Sequence, residues 1–211
     1  MGTAGYINYK VGIKDSAGGY AGIKGNIKFP SNPNFGNHTS EIIDFYIGLD
    51  KLNYPAGDVA IEAGVGRRYG ETQWYWFINK TGTGQIGRGP LGNPSQVDLE
   101  LIVTGSNGTD YDIDFKVDGT VKKSTTLALT STEGARCKYV CEVYQDGSTP
   151  EPSYSNAEWS GISLRKSNQW WEWHSGVDTE AGQVGDPYLT ERLYDANFVY
   201  KYFDLSISLP E

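Results

Sequence analysis

Basic residues and long apolar runs are both scarce in this chain. Its 18 Lys and Arg stand against 26 Asp and Glu, which gives a formal net charge of −8 at pH 7. A surface that binds nucleic acid needs an excess of positive charge, so nucleic acid is not expected as a partner. No apolar stretch approaches the ~20 residues that a membrane-spanning helix needs, so no membrane span is predicted either.

Cysteine and histidine are equally rare, with two residues of each. On one extended strand Cys137 and Cys141 would lie ~13 Å apart, whereas a disulfide needs Cα atoms within roughly 7 Å. We therefore expect two reduced or buried thiols, unless the chain turns between them and lets them pair. Only His38 and His174 could add soft ligands to these thiols. No metal site and no cofactor are predicted.

A secretory signal is not visible in the opening segment MGTAGYINYK, because it lacks an apolar core. We interpret the sequence as a mature or trimmed chain and expect a secreted, extracellular protein. A cytoplasmic protein is the alternative. No pattern in the sequence indicates the oligomeric state.

Amphipathic runs of helical length with caps are missing as well. Instead, many short segments alternate in polarity and are separated by turn signals, as in YINYKVGI, GIKGNIKF and YDIDFKVDG. A length of 211 residues suits one all-β domain. The pattern predicts an all-β protein, an antiparallel two-sheet β-sandwich over residues 1–211. Two stretches that contain glycine and proline, 80–95 and 145–156, are predicted to be loops.

Alternation also assigns side chains to faces. The segments VDLELIVTG and YDIDFKVDGT are predicted to form a hairpin around SNGTD, since Asn-Gly favours the turns that match strand twist. In QWYWFIN, Trp74, Trp76 and Ile78 alternate with Tyr75 and Phe77, so both faces are bulky. Such a strand is expected to lie inside a sheet, with one face on the core and the other lining a covered groove.

Five segments, taken in order, resemble the glutamic peptidases of the eqolisin family (peptidase G1/A4). In this sequence they are YAGIKGNIKFPS, FYIGLD, VAIEAGVG, QWYWFIN and CKYVCEVYQ. The corresponding family patterns are G-x-F-x-V-P, W-V-G-I-D-G, I-L-Q-T-G-V-D, A-W-Y-E-W and C-x-x-x-A-E-W. The resemblance covers roughly residues 20–166 and leaves 167–211 unmatched. It implies a concanavalin-like jelly roll with a catalytic Gln and Glu on its concave sheet.

The resemblance carries over residue by residue. The family's catalytic Glu, the base that activates water, falls on Glu142. Its catalytic Gln, whose amide binds the water and the oxyanion, falls on Glu62. The Asp of G-I-D falls on Asp50, and the Trp of W-V-G falls on Tyr46.

Three positions depart from the family patterns. Gly66 stands where I-L-Q-T-G-V-D ends in Asp, Trp76 replaces the acid of W-Y-E-W, and Val143 replaces the Trp after the catalytic Glu. These departures argue against proteolysis by the unaltered family mechanism. They leave open chemistry by a pair of glutamates.

A glutamate at position 62 changes the chemistry that the resemblance implies. An ionised carboxylate only accepts hydrogen bonds and would repel the oxyanion that an amide stabilises. Two facing carboxylates can share one proton, because each raises the pKa of the other. Such a pair could act on peptides or on glycosides. We predict that Glu62 and Glu142 converge from neighbouring or next-neighbouring strands of one concave sheet.

Several functions follow from these residues. The first is an acid-acting hydrolase with catalytic Glu62 and Glu142, peptide being the favoured substrate, and a glycoside hydrolase could use the same pair. The second is a non-catalytic sandwich that binds a glycan or peptide, and the third is an interaction protein that makes contact through residues 167–211. The substrate-binding residues predicted for the groove are Tyr46, Asp50, Trp74 and Trp76. The alternative is ordinary surface use of both glutamates and a turn-closing role for Asp50.

Overall fold

Strands are the only regular elements in the part of the chain that the computed structural model describes, which comprises residues 5–13, 19–51, 60–128, 135–145, 152–173, 179–184, 189–194 and 200–207. The strands are β1 Gly5–Ile13, β2 Gly22–Lys28, β3 Ile42–Lys51, β4 Ala60–Arg68, β5 Trp74–Lys80, β6 Gly84–Gly92, β7 Gln96–Ser106, β8 Tyr111–Val117, β9 Thr120–Leu127, β10 Ala135–Gln145, β11 Tyr154–Lys166, β12 Gln169–Glu172, β13 Thr179–Val184, β14 Leu189–Tyr194 and β15 Tyr200–Ile207. Among these residues, none belongs to a helix that is long and apolar enough to cross a membrane.

The strands form two antiparallel sheets. Sheet 1 has the order β13-β1-β10-β3-β4-β5-β6, and sheet 2 has the order β14-β15-β11-β2-β7-β8-β9, with β12 paired to β11. The predicted antiparallel two-sheet sandwich is confirmed. The predicted hairpin is confirmed as well, since β7 pairs with β8 around residues 107–110.

The core lies between the inner faces of the two sheets. On β10, Cys137, Tyr139, Cys141 and Val143 are buried in it, as alternation along the strand requires. Both cysteines are therefore buried on one strand, and no disulfide joins them, as predicted. Lys138, Val140 and Glu142 alternate with these inner residues along β10 and face the opposite side of sheet 1.

The centre of sheet 1 sets the register of the polar residues. Glu142 of β10 lies directly across from Asp44 of β3. Gly48 of β3 lies between Lys138 of β10 and Glu62 of β4, because it is the partner of both. Glu62 and Glu142 are thus on strands separated only by β3, which is the next-neighbour arrangement expected from the sequence.

The stretch 80–95 corrects one prediction, because it contains the edge strand β6 rather than a loop. Two glycines of β6 have a packing role that was not predicted from the sequence. A Cβ at Gly87 would lie 3.0 Å from the Trp76 ring, and one at Gly89 would lie 2.6 Å from the indole nitrogen of Trp76. The glycines therefore leave room for a neighbouring indole that alternation alone does not locate. Of the second predicted loop, residues 146–151 lie outside the described residues.

Residues 167–211 contribute strands to both sheets. β13 pairs with β1 at the edge of sheet 1, while β14 and β15 extend sheet 2 beyond β11. Before them, Trp173 is buried in the core, and Trp171 is 59% exposed. His174 lies outside the described residues.

Candidate active site

A groove of about 900 Å³ lies on the outer face of sheet 1. It is lined by three acids, two arginines and several aromatic and polar side chains. The charged and aromatic lining residues are Asp44, Glu62, Glu142, Arg68, Arg88, Tyr46, Phe77 and Tyr144. Glu62 and Glu142 both line this groove.

Two glycines near the groove allow neighbouring groups to approach closely. A Cβ at Gly64 would overlap the Phe45 carbonyl oxygen and the Tyr46 backbone of the adjacent strand. A Cβ at Gly48 would lie 2.6 Å from the Lys138 side chain, which crosses this position from β10 towards β4. Glycine at position 48 therefore leaves room for the path that Lys138 takes to Glu62.

Lys138 holds Glu62 in an ion pair. The Lys138 Nζ lies 2.7 Å from Glu62 Oε1 and 3.0 Å from Asp50 Oδ1. Burial lowers the pKa of Lys138, but the carboxylates of Asp50 and Glu62 outweigh this effect, so the pKa is raised overall. Lys138 is therefore a cation, and Glu62, whose side chain is 31% exposed, is paired as a carboxylate acceptor.

Asp50 does not line the groove, although it follows Asp44 and Tyr46 on the same face of β3. Its side chain is only 4% exposed, and Arg136 Nη2 lies 3.6 Å from Asp50 Oδ2, in addition to the contact with Lys138. It is neither a groove-lining residue nor a turn residue, because it stands within β3. Its contacts indicate that Asp50 positions Lys138 and, through it, Glu62.

Tyr46 is the direct partner of Glu142. Its hydroxyl donates a hydrogen bond to Glu142 Oε2 at 3.2 Å, and the two residues are 6% and 8% exposed. Burial, followed by the nearby carboxylates of Glu142, Glu62 and Asp44, raises the pKa of Tyr46. The phenol is therefore neutral and remains a donor. The Tyr46 ring packs edge-on against Phe77, with centroids 6.3 Å apart.

Asp44 is a site residue that the sequence reasoning missed. It is 6% exposed and lines the groove, and its buried Oδ1 has no hydrogen-bond partner among the residues that the structure describes. Burial raises the pKa of Asp44 well above its usual range, and Glu142 and Glu62 raise it further, whereas Arg68 lowers it. Alternation in EIIDFYIGLD could have identified it, since Asp44 shares a face with Tyr46.

The position of Asp44 is related to a departure from the family pattern. Gly66, which stands where the pattern ends in Asp, is the cross-strand partner of Asp44. A Cβ at Gly66 would lie 3.1 Å from the Asp44 Cβ. A carboxyl group from β3 thus occupies the space next to the position on β4 where the pattern has one.

Trp74 and Trp76 do not line the groove, and their placement there was wrong. Trp74 is 4% exposed in the core and stacks on Phe29 with ring centroids 4.4 Å apart. Trp76 packs against the same core. Alternation grouped them correctly, but the face they share is the inner one, so the groove receives Phe77 from this strand.

Arg88 closes the side of the groove formed by β6. Its Nη2 lies 2.5 Å from Glu71 Oε1, and its guanidinium lies 3.8 Å from the centroid of the Tyr75 ring. Both contacts fix the orientation of the guanidinium. Arg88 therefore forms a rigid, basic wall at the end of the groove away from Lys138.

Comparisons with known proteins give structural likeness only. No protein-family model and no curated protein sequence matches the chain. A crystal structure of scytalido-glutamic peptidase with a peptide-based transition-state analog matches with a TM-score of 0.64 and 10% identity, over 97% of this chain and 100% of that one. SCP-B, a member of the eqolisin family in complex with the tripeptide Ala-Ile-His, matches with a TM-score of 0.61 and 11% identity, with the same coverage.

Enzymes that act on polysaccharides also match, at lower similarity. Alginate lyase PA1167 from Pseudomonas aeruginosa has a TM-score of 0.40 over 73% of this chain, which is too low to relate its activity to this protein. The chain therefore has a glutamic-peptidase-like β-sandwich fold.

Proposed function

We propose that this protein is a divergent, acid-acting hydrolase of peptides that uses the groove of sheet 1. The observation that carries the proposal is the buried pair of Glu142 and Tyr46, joined at 3.2 Å in a groove that also receives Glu62. The likeness to two peptidase structures over nearly the whole chain supports a peptide as the substrate. An extracellular place of action is part of the proposal.

Glu142 is the general base in this proposal. Its carboxylate takes a proton from a water molecule, whose oxygen then bonds to the carbonyl carbon of the scissile peptide. The same carboxyl returns the proton to the leaving nitrogen when the C–N bond breaks. Tyr46 lies within hydrogen-bond distance of Glu142 and orients it. As a neutral phenol, Tyr46 retains the one proton that it donates to Glu142.

Glu62 acts as an acceptor rather than as the acid of a proton-sharing pair. Lys138 compensates its charge at 2.7 Å, so Glu62 does not need the proton that the sequence analysis assigned to the two glutamates. An ionised Glu62 can accept hydrogen bonds from peptide N–H groups or from the attacking water. It can also favour a substrate that carries a positive charge near the scissile bond.

The test is a pH–activity scan from pH 2 to 8 on an unfolded protein and on oligosaccharides, with the intact chain. We expect hydrolysis of the protein in acid, lost by at least ~10²-fold in Glu142→Gln, because an amide cannot accept the proton. Asp112→Asn, on the exposed surface of β8 in sheet 2, is the matched control and should retain full activity. A wild type that is inert on both substrates would overturn the proposal that the protein is an enzyme. Hydrolysis of oligosaccharides alone would show that its substrate is a glycan and not a peptide.

Glu62→Gln separates the roles of the two glutamates. The substitution restores an amide donor and removes the partner of Lys138. Under the proposed roles it keeps proteolysis, since the amide can bind the oxyanion, whereas Glu142→Gln abolishes it. Loss of activity in Glu62→Gln as complete as in Glu142→Gln would show that the carboxylate at 62 takes part in proton transfer.

A further inference from the structure

We propose that Asp44, in its protonated form, is the oxyanion donor of this site and replaces the amide that a glutamine at position 62 would supply. This inference deepens the proposed function and rests on it. It assigns a catalytic role to a residue outside the matched family motifs. The substrate class, a peptide carbonyl, remains the same.

The first observation is geometric. Asp44 lies directly across from Glu142 in the β3–β10 register, and both residues line the groove. Asp44 is 6% exposed, and no side chain or backbone group in the described part of the chain forms a hydrogen bond with its Oδ1. A buried, unpartnered polar atom at the wall of a groove is costly unless a ligand satisfies it. The carbonyl oxygen of a substrate would accept a hydrogen bond from Asp44 if the carboxyl carried a proton.

The second observation is the charge around Asp44. Glu142 faces it from β10, Glu62 and Arg68 from β4, and Tyr46 from its own strand. Burial and the two glutamates favour the neutral form of Asp44, and the exposed Arg68 opposes them without reversing the outcome. Within the described ranges, Asp44 has no cationic partner comparable to the lysine that holds Glu62 at 2.7 Å. The proton therefore belongs on Asp44.

The third observation is what the site otherwise lacks. Glu62 is held as an acceptor by Lys138, so it cannot donate to an oxyanion. Tyr46 already donates its one proton to Glu142 in this structure. A protonated Asp44 provides an additional donor within the groove, and it does so without adding charge.

The step balances with this assignment. Glu142 takes a proton from water, the water oxygen bonds to the carbonyl carbon, and the electron pair of the carbonyl π bond moves to oxygen. Asp44 donates a hydrogen bond to that oxygen and keeps its proton throughout. When the carbonyl re-forms, the C–N bond breaks and Glu142 passes its proton to the leaving nitrogen. The net reaction consumes one water and leaves both carboxyl groups as they began.

The pH profile of kcat on a peptide substrate is the first test. In the wild type, activity should fall on the alkaline side as Asp44 loses its proton. Asp44→Asn keeps a donor of the same shape that does not titrate, so it should stay within about tenfold of the wild type and lose this alkaline limb. Asp44→Ala should lower kcat by ~10²–10³, the usual effect of removing one oxyanion donor.

Three results would overturn the assignment. If the alkaline limb of the kcat–pH profile is unchanged in Asp44→Asn, the role of Asp44 is structural. If the limb disappears in Glu62→Gln but not in Asp44→Asn, the proton is on Glu62. In both cases the proposed peptidase would stand. A wild type without hydrolysis would overturn the proposed function, and the role of Asp44 with it.

A measurement that does not depend on activity checks the protonation of Asp44 itself. Denaturant midpoints of the wild type and Asp44→Asn are compared from pH 3 to pH 8, with Asp112→Asn as the control. The midpoint of the wild type should fall relative to that of Asp44→Asn as the pH rises above about 4, because the unfolded state then releases a proton that the folded state retains. A difference that is constant with pH would contradict a protonated Asp44.

Discussion

Replacing Lys138 by methionine tests the electrostatic arrangement of the groove most directly. Methionine has a similar length, so the substitution removes the charge with little change in volume. Lys138 is 8% exposed and contacts both Asp50 and Glu62, so its loss leaves two carboxylates without their cation. Breaking a buried pair in this way costs about 3–5 kcal/mol when the remaining charge stays fully buried.

The structure places the expected loss at the lower end of that range. Glu62 is 31% exposed and can be solvated in part, so its contribution is discounted. Asp50 is 4% exposed, but Arg136 remains 3.6 Å from it and compensates some of its charge. We therefore expect Lys138→Met to lower the free energy of unfolding by about 3 kcal/mol at pH 7, or Tm by about 6–12 °C for a chain of this size.

The pH dependence of this loss is the decisive assay. In the wild type the raised pKa of Lys138 contributes stability that is present below the pKa of an unfolded lysine and is lost as the pH rises through the folded value. In Lys138→Met, acid neutralises carboxylates that have lost their closest cation, so the defect should shrink between pH 7 and pH 4. Urea unfolding at both pH values measures it, and Lys138→Met/Asp50→Asn should recover part of the loss. A loss under about 1 kcal/mol at pH 7, or a double variant as unstable as the sum of the two single ones, would refute the reasoning.

Three further perturbations have defined outcomes. Tyr46→Phe removes the hydrogen bond to Glu142 Oε2. It should cost about 1–3 kcal/mol in urea unfolding and lower kcat on a peptide substrate without an equal change in KM, and an unchanged kcat would remove Tyr46 from the mechanism. Asp44→Asn should gain stability relative to the wild type as the pH rises from 4 to 8. The gain should be about 1.4 kcal/mol for each unit by which the pKa of Asp44 in the folded state exceeds that in the unfolded state. Denaturant titrations in which the stability of both proteins varies equally with pH would contradict this. Gly89→Val should destabilise the β5–β6 pair by about 1–3 kcal/mol, because its Cβ would lie 2.6 Å from the Trp76 indole; thermal unfolding unchanged from that of the wild type would show that Trp76 can move aside.

Local alternation was sufficient to predict most of the fold. Because successive side chains on a strand point to opposite faces, the sequence around Cys137 and Cys141 predicted one inner and one outer set of residues, and the core contains the inner set. The turn at SNGTD predicted the β7–β8 hairpin for a similarly local reason. Strand β6 was missed because its glycines were interpreted as loop signals. Gly87 and Gly89 instead leave space for the ring of Trp76 on the neighbouring strand.

The local sequence did not indicate which face of a strand is buried in the core. The sequence grouped Trp74 with Trp76 but could not say that their face is the inner one. That choice depends on which face of β5 packs against sheet 2, where Trp76 lies near Phe115 with ring centroids 6.4 Å apart. The same limit applies to Asp44, which alternation places beside Tyr46 without indicating what lies opposite.

By itself, the sequence determined an all-β sandwich with Glu62 and Glu142 among its acids. Only the tertiary structure decided how those acids are charged. Lys138 and Glu62 are 76 residues apart in the chain and Tyr46 and Glu142 are 96 apart, yet each pair is in hydrogen-bond contact. We assign the proton to Asp44 rather than to Glu62 because of the register of β10, β3 and β4. This register places Lys138 next to Glu62, whereas Asp44 lies across from Glu142. Alternation fixes the face on which a side chain lies, whereas strand pairing and burial fix its neighbours, and the neighbours decide its charge.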